Sequence, residues 1–135
     1  MERARNGQTF RTRAREDSRH AERIAYTCPV SFTGEIPSQP HQGEGLTKDI
    51  SVTGLKIVST QPVTRGTLLT LSLALPDGHP PLRIYSAHVV WVSGVHFSVR
   101  FMHLSREHRK RILSFVLRNI GKEAMNDHWS RFKIA

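Results

Sequence analysis

Arg19 and Arg23, four residues apart, and the run Asp49-Ile50-Ser51-Val52-Thr53-Gly54 hold the side chains in this chain best suited to gripping a small anion that carries a purine base. Arginine presents a planar fork of donors that fits a phosphate or the O6/N7 edge of guanine, and its flat face stacks on a base. An ionised aspartate only accepts, so Asp49 suits the donors on guanine's other edge. Asp49 and Ser51 are two apart, which on an extended strand puts both side chains on one face. Gly54 lacks a Cβ and permits either a left-handed turn or a close backbone approach to a ligand.

Other chemistry is poorly supplied. Catalysis needs a nucleophile beside a base, a carboxylate pair or a metal site. Apart from the adjacent Glu16 and Asp17, the eleven carboxylates are scattered singly, and no nucleophile motif occurs. None of the eight histidines lies four residues from another or close to the cysteine, so no metal-ligand set is visible. His88 and His96 fall on neighbouring expected strands, where they could meet; structural histidines are the plainer reading. Glycine-rich phosphate loops and dinucleotide fingerprints are missing as well. A binding module, not an enzyme, is expected.

A chain of 135 residues suits one domain with a real core. No apolar run approaches the roughly 20 residues of a membrane span, and the start Met1-Glu2-Arg3-Ala4-Arg5 lacks the apolar centre of a signal peptide, so a cytoplasmic protein is expected. Cys28 is the single cysteine and sits in an apolar segment, which makes it a small buried residue. The net charge of +9 attracts polyanions of several kinds: nucleic acid, anionic lipid, an acidic partner or a dinucleotide.

The elements that must position the motif residues follow from periodicity. Residues 1–18 carry Arg3, Arg5, Arg11, Arg13 and Arg15 with little to bury except Phe10, and read as a flexible basic arm. Arg11, Arg15, Arg19 and Arg23 recur every four residues, giving three registers of RxxxR; the register 19/23 is preferred because Arg23 directly precedes the apolar segment Ile24 to Phe32. In an extended segment Arg19 and Arg23 stand about 13 Å apart, enough to embrace a ligand from two sides.

Strand periodicity begins at Ile24, with Val30 and Phe32 facing one way. Residues 34–45, rich in Gly and Pro, make a connection; strands are expected from Gly45 to Ile50 and from Leu55 to Thr60. Leu69, Leu71, Leu73 and Leu75 share one face until Pro76-Asp77-Gly78 breaks the strand. Leu82 to Val92 forms a long strand with Ala87, Val89 and Trp91 on a common face, and Val95, Phe97, Val99 and Phe101 alternate after the Ser93-Gly94 turn. Six or so antiparallel strands with short turns argue for a closed barrel. Ser105 caps a helix to about Asn119, with Ile112, Phe115, Val116 and Ile120 on its apolar face, flanked by Leu113 and Leu117. Its other face, with Arg106, Arg109, Lys110 and Arg111, is most simply a solvated surface and otherwise a partner or nucleic-acid site. Gly121 ends the helix, and the tail 121–135, with Trp129 and Phe132, either packs back or engages a partner.

Arg19-His20-Ala21-Glu22-Arg23 followed by Asp49-Ile50-Ser51-Val52-Thr53-Gly54 resembles the RxxxR and (D/N)xSxxG pair of PilZ domains, bacterial receptors for cyclic di-GMP. Leu55-Lys56-Ile57, the span Pro62 to Leu75, Ala87-His88-Val89-Val90-Trp91, Val99-Arg100-Phe101 and the closing helix follow the order of that family, from about residue 19 to 120. The resemblance implies a mainly β fold: a six-stranded antiparallel barrel with a C-terminal α-helix, preceded by the arm 1–18 and followed by the tail 121–135. It implies no cofactor and one ligand class, cyclic di-GMP. Arg19 and Arg23 would grip phosphate and guanine, Asp49 would accept from guanine, Ser51 would add a polar contact, and Gly54 would keep the barrel surface open to the base. Ligand would order the arginine segment against the barrel and alter a surface read by a separate protein partner.

Ser18 precedes Arg19 where many relatives have a second arginine associated with a stacked pair of ligands, which counts against a second ligand unless Arg15 stands in. Ser98 occupies a position where glycine is common, a change expected to alter packing without touching the guanine contacts. Two alternatives stay open: a small basic barrel for RNA or single-stranded DNA, and a PilZ-like scaffold that binds only protein. Against the first, Trp91 and the phenylalanines fall mostly at core parity, leaving few faces for base stacking.

Overall fold

Strand β3 (Gln42–Ser51) is the seam on which the fold closes. In the computed structural model, which describes residues 23–35 and 42–120, it pairs along one edge with β2 (Pro29–Gly34) and along the other with β4 (Gly54–Val58). The circuit continues from β2 through β5 (Leu68–Leu73), β6 (Leu82–Ser93) and β7 (His96–Phe101) back to β4, every pairing antiparallel. These six strands make a closed barrel, which leaves no free edge within the ring. A short strand, β1 (Arg23–Ala25), lies outside the circuit and pairs with the last three residues of β3, Asp49 to Ser51. Arg19, the arm 1–18 and the tail from Gly121 fall outside the described residues.

β1 and β2 run along the same edge of β3, interrupted at Tyr26–Cys28. Thr47, fully buried, fills the break: its hydroxyl donates to the Tyr26 carbonyl at 2.6 Å and accepts the Cys28 N–H at 2.8 Å. Both backbone groups would otherwise be buried without partners, so one hydroxyl lets the edge bend.

The alternating leucines behave as expected: Leu69, Leu71, Leu73 and Leu75 are all buried, as are Val30 and Phe32 from β2. The Phe32 ring meets Phe97 edge-on at 5.4 Å, tying β2 to β7 across the interior. A bulge on β6 sets Tyr85 and Ser86 opposite Thr70, and Ser86 takes φ of +57°, a region that disfavours side chains. Glu35 secures it. Its carboxylate accepts the Ser86 N–H at 2.6 Å and the Thr70 hydroxyl at 3.1 Å.

Helix α1 (Arg106–Asn119) starts as its sequence suggests, with the Ser105 hydroxyl accepting the His108 N–H at 3.1 Å. Ile112, Phe115 and Val116 are buried against β1 and β3, and Phe115 meets Tyr26 edge-on at 5.0 Å. Ile120 and Leu117 depart from expectation and are exposed, because Ile120 is already the extended cap and Leu117 points off the buried stripe. Arg111 also departs from a purely solvated face. Its Nε and Nη2 donate to Oδ2 and Oδ1 of Asp77 at 2.8 and 2.9 Å, fixing the loop after β5 to the helix.

Val95 sits exposed in the β6–β7 hairpin turn, not in the core alternation, with Gly94 beside it at φ +61°. His88 and His96 do not meet: the register sets His88 opposite Arg100 and His96 opposite Ser93. No helix among the described residues is long and apolar enough to cross a membrane.

Candidate ligand site on the barrel wall

The turn joining β3 to β4 is knotted around one hydroxyl. Ser51 Oγ accepts the N–H of Thr53 at 3.1 Å and of Gly54 at 3.2 Å, and shares a hydrogen bond with the Thr53 hydroxyl at 2.9 Å. Val52 and Leu55 on either side are buried and anchor the turn in the core. Ser51 is itself only 6% exposed, so its first task is to hold the backbone of the motif.

Gly54 does not use the left-handed region. A Cβ there would overlap the carbonyl oxygen of Val99 on β7, so glycine is required by strand approaching strand. The seam between β4 and β7 closes tightly at this residue, directly beside the acid and the hydroxyl.

The antiparallel register of β1 on β3 sets Arg23 opposite Ser51 and Ala25 opposite Asp49, which brings an arginine 28 positions away to the turn. Arg23, Asp49, Ser51 and Gly54 all line one open cavity of about 310 Å³. The Asp49 carboxylate is half-buried and has no hydrogen-bond or ion-pair partner among the described residues. Arg19 lies outside the described residues.

The further residues that line the same cavity include Lys56, Trp91, Ser98 and Arg100. The register explains them. Asp49 pairs with Lys56, Lys56 with Ser98, and Ser98 with Trp91, a row running outward across four strands. Trp91 corrects the sequence reading. A bulge between Val89 and Trp91 inserts one residue into β6, which reverses parity and leaves the indole 43% exposed. Lys56 Nζ sits over the indole at 5.3 Å from its centroid. Ser98, expected to matter only for packing, is part of the cavity wall. Lys56 and Arg100 were legible in principle, each being the polar residue between buried neighbours on its strand; the bulge that exposes Trp91 leaves no such mark.

Among the described lining residues, Arg23, Lys56 and Arg100 face a single carboxylate, Asp49. An exposed aromatic face, a row of donors and one acceptor within a cationic rim suit a ligand with phosphates and a base. No group of three or more potential metal-binding side chains occurs among the described residues.

A closed six-stranded antiparallel barrel with one C-terminal helix, carrying an arginine on a short flanking strand and the D-x-S-x-x-G turn on its wall, defines a small β-barrel domain with a candidate ligand site. The PilZ domain model matches residues 17–118, and the chain belongs to that family. Solved structures of similar fold include the inhibitor of motility MotI/DgrA from Bacillus subtilis, 16% identical with a TM-score of 0.62 over 76% of this chain. This chain spans only 51% of that protein. The PilZ domain of CeSA from a cellulose-synthesizing bacterium is 20% identical, with a TM-score of 0.57 over 70% of this chain and 94% of that one. The PilZ domain of YcgR from Escherichia coli, determined with c-di-GMP, is 13% identical, with a TM-score of 0.60 over 78% of this chain and 93% of that one. Among proteins with curated functions, no significant match was found.

Proposed function

We propose that this chain is a receptor for cyclic di-GMP, a binding module without catalysis of its own. The observation that carries this reading is the convergence of Arg23, Asp49, Ser51 and Gly54 on one cavity whose remaining wall adds Lys56, Arg100 and an exposed indole. Cyclic di-GMP offers two phosphates to the cations, donors on guanine to Asp49, and a flat base to Trp91. In this reading Arg19 joins Arg23 in gripping the ligand. Drawing the arginine segment onto the barrel would then change a surface that a separate protein reads, a population shift and not a chemical step. The setting would be cytoplasmic.

Isothermal titration calorimetry with cyclic di-GMP on the wild type and Arg23→Ala tests it, with GTP as a control nucleotide. A hydrogen bond to a charged group contributes roughly 1.5–3 kcal/mol, so the variant should bind about tenfold or more weakly. Heat of binding absent from the wild type, or unchanged in the variant, overturns the assignment.

The exposed Trp91 also favours a second reading, a groove for single-stranded nucleic acid, since an indole face stacks any base. Titration with oligouridylate over a range of salt separates the two. Tight binding that falls steeply with ionic strength, with no response to cyclic di-GMP, would favour the nucleic acid.

A further inference from the structure

A second cleft of about 430 Å³ lies on the other side of the β3–β4 turn, between that turn, the end of β7 and the first turns of α1. Thr53 and Arg100 stand between the two clefts and line both. The far cleft has its own composition. Arg100, His103 and Arg109 form its rim, Met102 and Leu104 with Val52 supply apolar wall, and no carboxylate is among the described residues lining it. The side chains of Arg100, His103 and Arg109 make no hydrogen bond or ion pair with any described residue. Met102 is 52% exposed, more than burial would leave to a core methionine at the end of a strand.

We infer that this cleft docks an acidic segment of a partner protein, one that carries apolar side chains between its carboxylates. Charge complementarity supplies the sign, because cations facing a cleft without an acid favour an anionic occupant. The apolar wall supplies the class. Arginine and methionine are enriched in protein interfaces, and a flexible thioether adapts to varied side chains. A nucleic acid would want an exposed aromatic platform; Phe101, the phenyl ring in this cleft, is partly buried and packed on the core, and the exposed indole belongs to the other cavity. The inference goes beyond the nucleotide reading and does not need it: it assigns the protein-facing surface to a site that touches the nucleotide cavity only through Thr53 and Arg100.

The test uses the full chain and a fluorescein-labelled random copolymer of glutamate and tyrosine, read by anisotropy, with polyglutamate and oligouridylate as comparison probes. Met102→Ser/Arg109→Glu removes exposed groups of this cleft while leaving the nucleotide cavity intact. Lys110→Glu, a like charge reversal at the neighbouring helix position, faces a different hollow beside Asp77 and Glu107. The double variant should bind the copolymer about tenfold more weakly. Lys110→Glu should stay within about twofold of the wild type, and polyglutamate should bind less tightly than the copolymer. The inference is overturned if both variants weaken binding alike, if polyglutamate binds as well as the copolymer, or if oligouridylate is the tighter probe and loses affinity in the same double variant. Cyclic di-GMP affinity, measured on the double variant, should be unchanged; this keeps a failure of the docking site distinct from a failure of the nucleotide site.

Discussion

Lys56 on β4 stands directly opposite Asp49 on β3, yet its ammonium lies over the Trp91 ring, 5.3 Å from the centroid, and forms no ion pair with the carboxylate. Antiparallel neighbours of opposite charge are close enough to pair. The indole diverts the lysine, so Asp49 keeps its acceptors for something else. An aspartate silenced by its neighbouring lysine would be a poor reader of guanine donors; this one is open.

Trp91 should therefore report on the ligand. A base sliding onto the indole displaces Lys56 toward the phosphates, and stacking on an aromatic contributes roughly 1–3 kcal/mol per base. Trp91→Ala should weaken cyclic di-GMP binding by about tenfold, with Trp91→Phe falling between it and the wild type. Calorimetry measures the affinities, and quenching of indole fluorescence that is lost in Trp91→Phe identifies the ring. Equal affinity in all three would remove stacking from the reading.

Arg23, Ser51 and Gly54 should fail in different ways. Arg23 is exposed on β1, so Arg23→Ala should cost affinity with little change in melting temperature. Ser51→Ala strips the acceptor from the Thr53 and Gly54 N–H groups in a nearly buried turn, a loss of about 1–2 kcal/mol of stability, with weaker binding as a consequence. Gly54→Ala drives a methyl into the Val99 carbonyl and should cost about 1–3 kcal/mol by prising β4 from β7. Thermal melts beside calorimetry check the split. A Ser51→Ala protein as stable as the wild type would return the hydroxyl to the role of a ligand contact alone.

The motif was readable because its determinants are local. Asp49, Ser51 and Gly54 lie within six residues, and the alternation of β5 and β7 sufficed to close the barrel that displays them. What sequence could not supply comes from irregularities of one residue. The bulge at Val90 turned Trp91 from an expected core residue into part of the site wall, and no residue type at that point announces an insertion. Thr47, unremarkable among polar neighbours in the sequence, holds the break between β1 and β2 through a side chain 19 residues from Cys28. Asp77 read only as a turn residue and Arg111, 34 residues on, as part of a solvated face; only the fold shows them to be partners.

Cys28 should be chemically quiet. Burial pushes its thiol up to about 11, partly offset by its hydrogen bond with Thr47, and the Asp77 charge adds to the rise. Little thiolate exists in the folded protein near neutral pH, and the thiolate is the reacting form. A disulfide reagent at pH 8 should label the native chain far more slowly than the same chain in guanidinium. Because the folded value is raised, stability from this group is fully present below the ordinary thiol range and is lost as pH climbs through about 11. Fast native labelling would show that β1 and β2 part readily at the Thr47 break.

The Asp77–Arg111 pair should govern acid stability. The two hydrogen bonds from Arg111, aided by the His79 N–H, hold the Asp77 carboxyl below the usual aspartate range even though burial pushes it the other way. With the folded value depressed, the unfolded chain takes up the proton first as pH falls. The contribution is therefore complete above the unfolded value near 4 and disappears as pH drops through the lower folded value. The Asp77 side chain is only 3% exposed, so replacing it leaves Arg111 with a lost partner in a site poorly reached by water. Asp77→Asn should lower stability by about 2 kcal/mol at pH 7, and the gap to the wild type should narrow steadily toward pH 2. Urea melts at several pH values measure both. A gap that stays constant down to pH 2 would mean that the loss at Asp77→Asn reflects loop packing and not the ionised pair.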